Sequence, residues 1–152
     1  MGFMDRQREI YQQKMAEMYR LLVPGEVLYG VIMANHQKMM SAKFFLVATT
    51  DRRIILQPVN RKVDFDGPAI SYGPQDITNA SVWGWAHDAA SRAEKVKTFL
   101  TTSGDRIRFD AGGQTWKLMT LGGNMFENML ATDEQLAGLE ALIGFLAAAQ
   151  PR

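Results

Sequence analysis

The chain contains no cysteine, and this absence removes several kinds of chemistry. Disulfide bonds, thiolate metal sites and cysteine nucleophiles are all excluded. A reducing compartment is compatible with the absence but is not required by it. The 152 residues are enough for one domain with a buried core, and the hydrophobic (47%) and charged (22%) fractions are those of a globular protein.

Long apolar runs are missing as well. The nearest candidate, Ala141–Ala149, is much shorter than the roughly 18 apolar residues that a membrane-spanning helix needs. The first twenty residues lack the apolar centre of a signal peptide. We therefore expect a cytoplasmic protein.

Catalytic and metal-binding motifs are scarce too. The two histidines, His36 and His87, have no metal-ligand spacing, and neither GxSxG nor a phosphate-binding GxxxxGK[ST] loop occurs. Asp64 and Asp66 match a cation site weakly, and their Gly/Pro surroundings are more typical of a solvated loop. We expect no enzymatic activity, no metal site and no cofactor. A net charge of +1 also argues against a general nucleic-acid binder.

A helix is predicted at each end of the chain. The first runs from Asp5 to about Leu22, where Pro24 and Gly25 end it, and its apolar stripe consists of Tyr11, Met15, Met18 and Leu22. The second runs from about Asp133 to Ala149, with a seam of Leu136, Leu139, Ile143 and Leu146 that Leu142 and Phe145 broaden.

Strand patterns fill the region between the helices, and residues 61–75 are predicted to form a loop because they contain two Gly-Pro pairs. Alternating and apolar runs bounded by turn residues give seven candidates. They are Val27–Asn35, Lys43–Ala48, Arg53–Val59, a segment within Ile77–Ala86, Lys95–Thr101, Arg106–Asp110 and Thr115–Met119.

The last three candidate strands have a regular pattern of faces. Two-residue turns would place Leu100 opposite Ile107 and Phe109 opposite Trp116, on a core face that also holds Val96 and Leu118. The other face then collects five bases around one aromatic residue: Lys95, Lys97, Phe99, Arg106, Arg108 and Lys117. Such a face suits an anionic partner, or it is a solvated surface whose bases discourage edge pairing.

The hairpin of the second and third candidates is apolar on both faces. A tight turn would pair Val47 with Ile54 and Phe45 with Leu56, while Phe44, Leu46 and Ile55 form a second apolar face. Two covers are then needed, and the second is either the N-terminal helix or another subunit. Arg52 and Arg53 lie in a turn that Thr and Asp chemistry already explains, which favours a structural role for both.

Three pieces of the chain resemble the small bacterial pleckstrin-homology-like (PH-like) families: LLVPGEVLYGV (Leu21–Val31), FLVATTDRRIIL (Phe45–Leu56) and GPQDITNASV (Gly73–Val82). The resemblance implies a mainly β (α+β) fold, with a seven-stranded barrel or orthogonal sheets and a C-terminal helix. The PH-like domain would span residues 23–150, and residues 1–22 would form an added amphipathic helix.

The resemblance also implies a binding function, since the wider PH-like group binds phosphoinositides, peptides or proteins. Lipid-binding members use bases in the first strand–strand loop, where this chain offers Lys38 and Lys43. We expect a non-catalytic binding or adaptor module whose partner is a protein, a peptide or an anionic surface such as the membrane periphery. No specific nucleic-acid partner is expected.

The alternative is a homo-oligomeric assembly protein that uses its two helices as interfaces. The candidate interface residues are Tyr11, Met15, Met18, Leu22, Leu142 and Phe145.

Overall fold

The computed structural model describes residues 3–38, 41–83, 106–120 and 132–149, which form two α-helices, seven strands and one short 3-10 helix (Pro74–Asp76). In chain order the elements are α1 (Phe3–Tyr19), β1 (Leu28–Lys38), β2 (Ser41–Thr50), β3 (Ile54–Val59), β4 (Ile70–Tyr72), β5 (Thr78–Trp83), β6 (Arg106–Ala111), β7 (Gln114–Thr120) and α2 (Thr132–Ala149). No helix among the described residues is long and apolar enough to cross a membrane.

All seven strands belong to one antiparallel sheet with the order β4-β3-β2-β1-β7-β6-β5. Its two halves meet at a short seam, where Ala34, Asn35 and His36 of β1 pair with Thr120, Met119 and Leu118 of β7. The sheet also curls, and this brings β4 close to β7, where Trp116 Nε1 donates a hydrogen bond of 3.3 Å to Tyr72 Oη. This strand order, with its C-terminal helix and added N-terminal helix, confirms the predicted PH-like fold class.

The inner face of the curled sheet holds the main core. Its largest buried side chains, Trp116 and Phe109, lie on β7 and β6, and their rings stack at a centroid distance of 6.3 Å. Helix α2 covers this core with Leu139, Leu142 and Leu146, which recur at three- and four-residue steps. The predicted core residues Ile107 and Leu118 are buried there as well.

Two glycines allow α2 to approach β1 closely. A Cβ built on Gly30 would lie 2.6 Å from the Cα of Gly138, and a Cβ built on Gly138 would lie 2.6 Å from the carbonyl oxygen of Val31. Contacts this short do not occur between real side chains and backbone. The absence of a side chain at both positions therefore sets the distance between helix and sheet.

The outer face of β1, β2 and β3 holds a second core, which α1 covers. Met18 is fully buried there beside Leu46, Ile55 and Val59. The prediction that this hairpin is apolar on both faces is confirmed, and the second cover is the N-terminal helix of the same chain. Helix α1 ends at Tyr19, three residues earlier than predicted, and Arg20 to Leu22 continue it as turns.

The predicted strand set needs two corrections. The supposed loop over residues 61–75 contains β4, and it also contains Val63, which is buried although its φ of 64° is left-handed. The Asn60 side chain holds this turn by accepting hydrogen bonds from the backbone amides of Lys62 (2.9 Å) and Asp64 (3.1 Å).

The second correction concerns Ile107. It pairs with Val82 of β5 on one side and with Leu118 of β7 on the other, so its predicted pairing with Leu100 is wrong.

The register of the first hairpin also differs from the prediction. Val47 pairs with Leu56 and Phe45 with Pro58, a shift of two residues along β3, because the turn is longer than assumed. An even shift preserves the faces, since side chains alternate with a period of two. The predicted pairing of Phe109 with Trp116 is confirmed.

Candidate functional site

Arg53 closes a buried ion pair with Glu26 at the start of β1. Its Nε and Nη2 donate to Glu26 Oε2 and Oε1, both at 2.9 Å, and Nη2 also donates to the Leu21 carbonyl at 2.9 Å. Thr50 Oγ1 donates to Glu26 Oε2 at 2.7 Å. The Glu26 side chain is completely buried and that of Arg53 is 25% exposed. These contacts tie the segment before β1 to the β2–β3 turn.

The ion pair shifts the pKa of both partners. The pKa of Glu26 is lowered from 4.5 to about 2, mainly by its hydrogen bonds from Arg53. Burial acts in the opposite direction, and hydrogen bonds from Thr50 and from the Val23 amide lower the pKa further. The Glu26 carboxylate raises the pKa of Arg53 above its ordinary value. Both groups are therefore charged at neutral pH, and the structural role predicted for Arg53 is supported by its contacts.

The outer face of β6 and β7 presents two exposed cations directly opposite each other. Arg108 pairs with Lys117 in the strand register, and both side chains are exposed. Neither forms an ion pair within the part of the chain that the structure describes. Like charges at directly opposed positions destabilise a sheet. We call this pair, with the exposed strand surface around it, the cationic face.

Asp110 is the acid on this face, and both of its carboxylate oxygens accept hydrogen bonds from neutral side chains. Its Oδ2 accepts from Asn79 Nδ2 at 2.9 Å, and its Oδ1 accepts from Thr115 Oγ1 at 2.7 Å. The hydrogen bond from Asn79, then that from Thr115, lowers the pKa of Asp110, with a smaller contribution from the Arg108 charge. Asp110 is thus ionised at neutral pH, yet it forms no ion pair with Arg108 or Lys117 within 4 Å.

Several residues predicted for this face fall outside the structural description. Lys95, Lys97 and Phe99 lie outside the described residues. Arg106 belongs to β6 and pairs with Met119 and Trp83, but its side chain is not among those described. Of the predicted set, the structure therefore brings together Arg108 and Lys117.

The predicted loop site is described in part. Lys43 is exposed and pairs with His36, on the strand face that also carries the buried Phe45. The His36 ring lies 4.7 Å from Trp116 and 6.3 Å from Phe45 between centroids, and its Nδ1 accepts from the Lys117 amide at 3.2 Å. The side chain of Lys38, at the end of β1, is not described. Lys43 thus stands at the edge of the inner core, separate from the cationic face.

A cavity of about 440 Å³ lies where β5 begins beside the β6–β7 turn. Polar groups and backbone dominate its lining: Asp76, Thr78, Asp110, Ala111, Gly112, Gly113, Gln114 and Thr115. Sequence reasoning did not identify this cavity, because residues 76–78 and 110–115 become neighbours only through the pairing of Thr78 with Asp110. Among the described residues no group of three or more His, Asp or Glu side chains could hold a metal ion.

Two of the six proposed interface residues lie inside the molecule. Met18 and Leu142 are completely buried in the cores of their own chain, so as folded they cannot contact another subunit, and this part of the prediction is corrected. Met15 and Leu22 are partly buried against the outer core and Phe145 against the inner core. The side chain of Tyr11 lies outside the described set.

Comparison with known proteins supports the fold. No protein-family model and no curated protein matches the chain. Among solved structures, it is similar to one described as the hSac2 domain from human phosphoinositide phosphatase Sac2. The two chains share 10% sequence identity with a TM-score of 0.51, over 92% of this chain and 79% of the other. At this identity the similarity concerns the fold alone.

Proposed function

We propose that the protein is a non-catalytic binding module of the bacterial PH-like type, which docks a protein, a peptide or an anionic surface in the cytoplasm through its cationic face. The observation that carries the proposal is the direct opposition of Arg108 and Lys117 without an ion-paired acid among the described residues. This arrangement weakens the sheet locally, and an anionic ligand bound across both cations would relieve the repulsion.

The backbone beneath the two cations is well held. Phe109 and Trp116, which alternate with Arg108 and Lys117 along β6 and β7, are at most 2% exposed. A backbone held in this way needs no ordering when a partner binds, so the entropic cost is limited to the two cationic side chains. The face is thus a surface with a preorganised backbone on the outside of the curled sheet, which suits an extended anionic partner, whereas a small ligand would need a concave site.

The test is charge reversal of the face. We expect the double variant R108E/K117E to lose about tenfold or more of its affinity for immobilised polyglutamate. Binding of the unaltered protein should weaken as salt rises, because exposed charges are screened. Surface plasmon resonance at two salt concentrations measures both effects.

The matched control is R61E/K62E, which changes the net charge by the same amount at two exposed positions of the β3–β4 connection. Equal losses in both double variants would show that total charge alone decides binding and would overturn the proposal. The single variant K117E serves as a folding control. It replaces a like-charge pair with an opposite-charge pair facing Arg108, so it should stabilise the fold by roughly 0.2–1 kcal/mol while weakening binding.

A further inference from the structure

A second surface, unrelated to the cationic face, exposes large apolar side chains around the beginning of β1. Tyr19, Val23, Val27 and Tyr29 are 52%, 46%, 50% and 58% exposed, and they account for all but Phe65 of the large apolar residues found exposed among the described positions. We call these four residues the tyrosine–valine patch. All four lie within residues 19–29, and exposed large apolar side chains that share one surface mark interaction sites.

The backbone that carries the patch is firmly anchored. Val23 N donates to Glu26 Oε1 at 3.1 Å, which places Val23 on the buried ion pair with Arg53. Val27 and Asp51 exchange two hydrogen bonds, from Val27 N to Asp51 Oδ1 (2.9 Å) and from Asp51 N to the Val27 carbonyl (3.0 Å). Tyr29 follows on a bulge between Leu28 and Gly30. The apolar side chains are therefore presented on a fixed frame, which reduces the entropy lost on binding.

Two arginines flank the patch. Arg20 directly follows Tyr19 and is exposed. Arg52 is also exposed, and its Nη2 would lie 3.3 Å from a Cβ built on Gly25, between Val23 and Val27 in the chain. Among the described residues its ion-pair partner is Asp51, at 3.9 Å between Nε and Oδ2, and the other oxygen of this carboxylate, Oδ1, accepts a hydrogen bond from the Val27 amide. The surface thus combines tyrosine and valine side chains with an excess of positive charge.

We propose that the tyrosine–valine patch inserts into the headgroup region of an anionic lipid bilayer, with Arg20 and Arg52 contacting lipid phosphates. Tyrosine suits this region because its ring is apolar and its hydroxyl group stays hydrated, and arginine pairs with phosphate oxygens. A second copy of this chain fits less well, since each copy would bring the same two arginines into the contact. The exposed side chains of the patch stand on a rigid backbone, and a lipid headgroup layer can deform around them.

The absence of cysteine permits a direct test with the full chain. Single variants Tyr29→Cys and Ser81→Cys each receive an apolar, environment-sensitive fluorophore, which at position 29 restores the ring surface that is lost with the tyrosine. Position 29 reports on the patch, and position 81 reports on the cationic face, because exposed Ser81 pairs with Arg108. The labelled proteins are mixed with phosphatidylcholine vesicles that contain or lack phosphatidylserine. We expect a blue shift of the emission at position 29, and none at position 81, with the anionic vesicles alone.

Each other result overturns the proposal in a recognisable way. A shift at position 81 alone would place the membrane on the cationic face, which would support the proposed function and reject the patch. A shift at position 29 that grows with protein concentration without vesicles would identify a second copy as the occupant. No shift at either position would reject bilayer binding, whereas docking of an acidic protein on the cationic face would remain measurable with polyglutamate.

A second pair of variants removes apolar surface without changing charge. V27S/Y29S should lower the affinity for phosphatidylserine vesicles by about tenfold or more, since two large side chains no longer leave water on binding. The control is Phe65→Ser, which removes a 39% exposed aromatic residue. Phe65 pairs with Val59 at the far end of β3, about 17 Å along the strand from Ile54 at its beginning. An unchanged affinity of V27S/Y29S in vesicle co-sedimentation would contradict the proposal.

Discussion

Arg52 and Arg53 are neighbours in the sequence, but their side chains have opposite surroundings. Arg53 forms a two-pronged ion pair with the completely buried Glu26 carboxylate, whereas half of the Arg52 side chain is exposed beside Gly25. A buried carboxylate is stable only if its charge is compensated. Arg53 therefore holds the β2–β3 turn to the start of β1, and Arg52 is available for other contacts.

The Glu26–Arg53 pair makes stability depend on acid pH. The pKa of Glu26 is lowered from 4.5 in the unfolded chain to about 2 in the fold, so its contribution is complete above pH 4.5. It declines as the pH falls from 4.5 towards 2, because the unfolded chain then binds the proton more readily. The full difference corresponds to about 3 kcal/mol. Urea unfolding measured between pH 7 and pH 2.5 should show this decline.

Variants at the same pair separate its role from that of its neighbour. Arg53→Ala should destabilise the fold by about 3 kcal/mol, because it leaves the Glu26 carboxylate buried without its partner. Arg52→Ala should change stability by less than about 0.5 kcal/mol. Equal effects of the two substitutions, or an acid decline that persists in Glu26→Gln, would show that another group is responsible.

At the scale of elements, the contact between α2 and β1 depends on two residues without side chains. Gly30 and Gly138 meet at a distance that no Cβ would permit, and Leu139, Leu142 and Leu146 are buried along the same helix. The helix thus lies close enough to cover the inner core. A third glycine of α2, Gly144, has open space around its Cβ position and plays no part in this contact.

Alanine substitutions at Gly138 and Gly144 should change the free energy of unfolding in opposite directions. Gly138→Ala should destabilise the protein by roughly 1–3 kcal/mol, because the new methyl group meets the Val31 carbonyl and forces the helix outward. Gly144→Ala should stabilise it by up to about 1 kcal/mol, since alanine favours the helix and nothing obstructs it. Thermal unfolding of both variants measures the difference. A stabilised Gly138→Ala would mean that the contact relaxes without loss.

At the scale of the whole molecule, the sheet needs a cover on both faces. Helix α2 covers the inner core, and α1 covers the outer core through Met18, which is fully buried. The N-terminal helix therefore belongs to the folded unit and shields the apolar residues Leu46 and Ile55 of β2 and β3 from water.

Loosening α1 should make the protein associate. Met18→Asp places a carboxylate in the outer core, which costs several kcal/mol unless the helix detaches and exposes the sheet. Gln13→Asp makes a similar change on the exposed side of the same helix and should have little effect. Light scattering over a concentration series distinguishes the two. A monomeric Met18→Asp protein with unchanged stability would show that α1 contributes little to the fold.

The sequence by itself determined the elements and their faces. Apolar periodicity located both helices and six of the described strands, and period-two alternation predicted the burial of Ile107, Phe109, Trp116 and Leu118. The same alternation predicted that Arg108 and Lys117 share the exposed face. Such patterns are local, and each residue's face follows from its immediate neighbours.

Only the tertiary structure decided which segments meet. The three-residue strand β4 was missed because a short run between Gly-Pro pairs has too few residues to show a period. The pairing of β5 with β6, the ion pair across 27 positions between Glu26 and Arg53, and the cavity beside the β6–β7 turn all join distant parts of the chain. Strand pairing is set by the arrangement that gives the whole chain the lowest free energy, and a local sequence pattern does not contain that information.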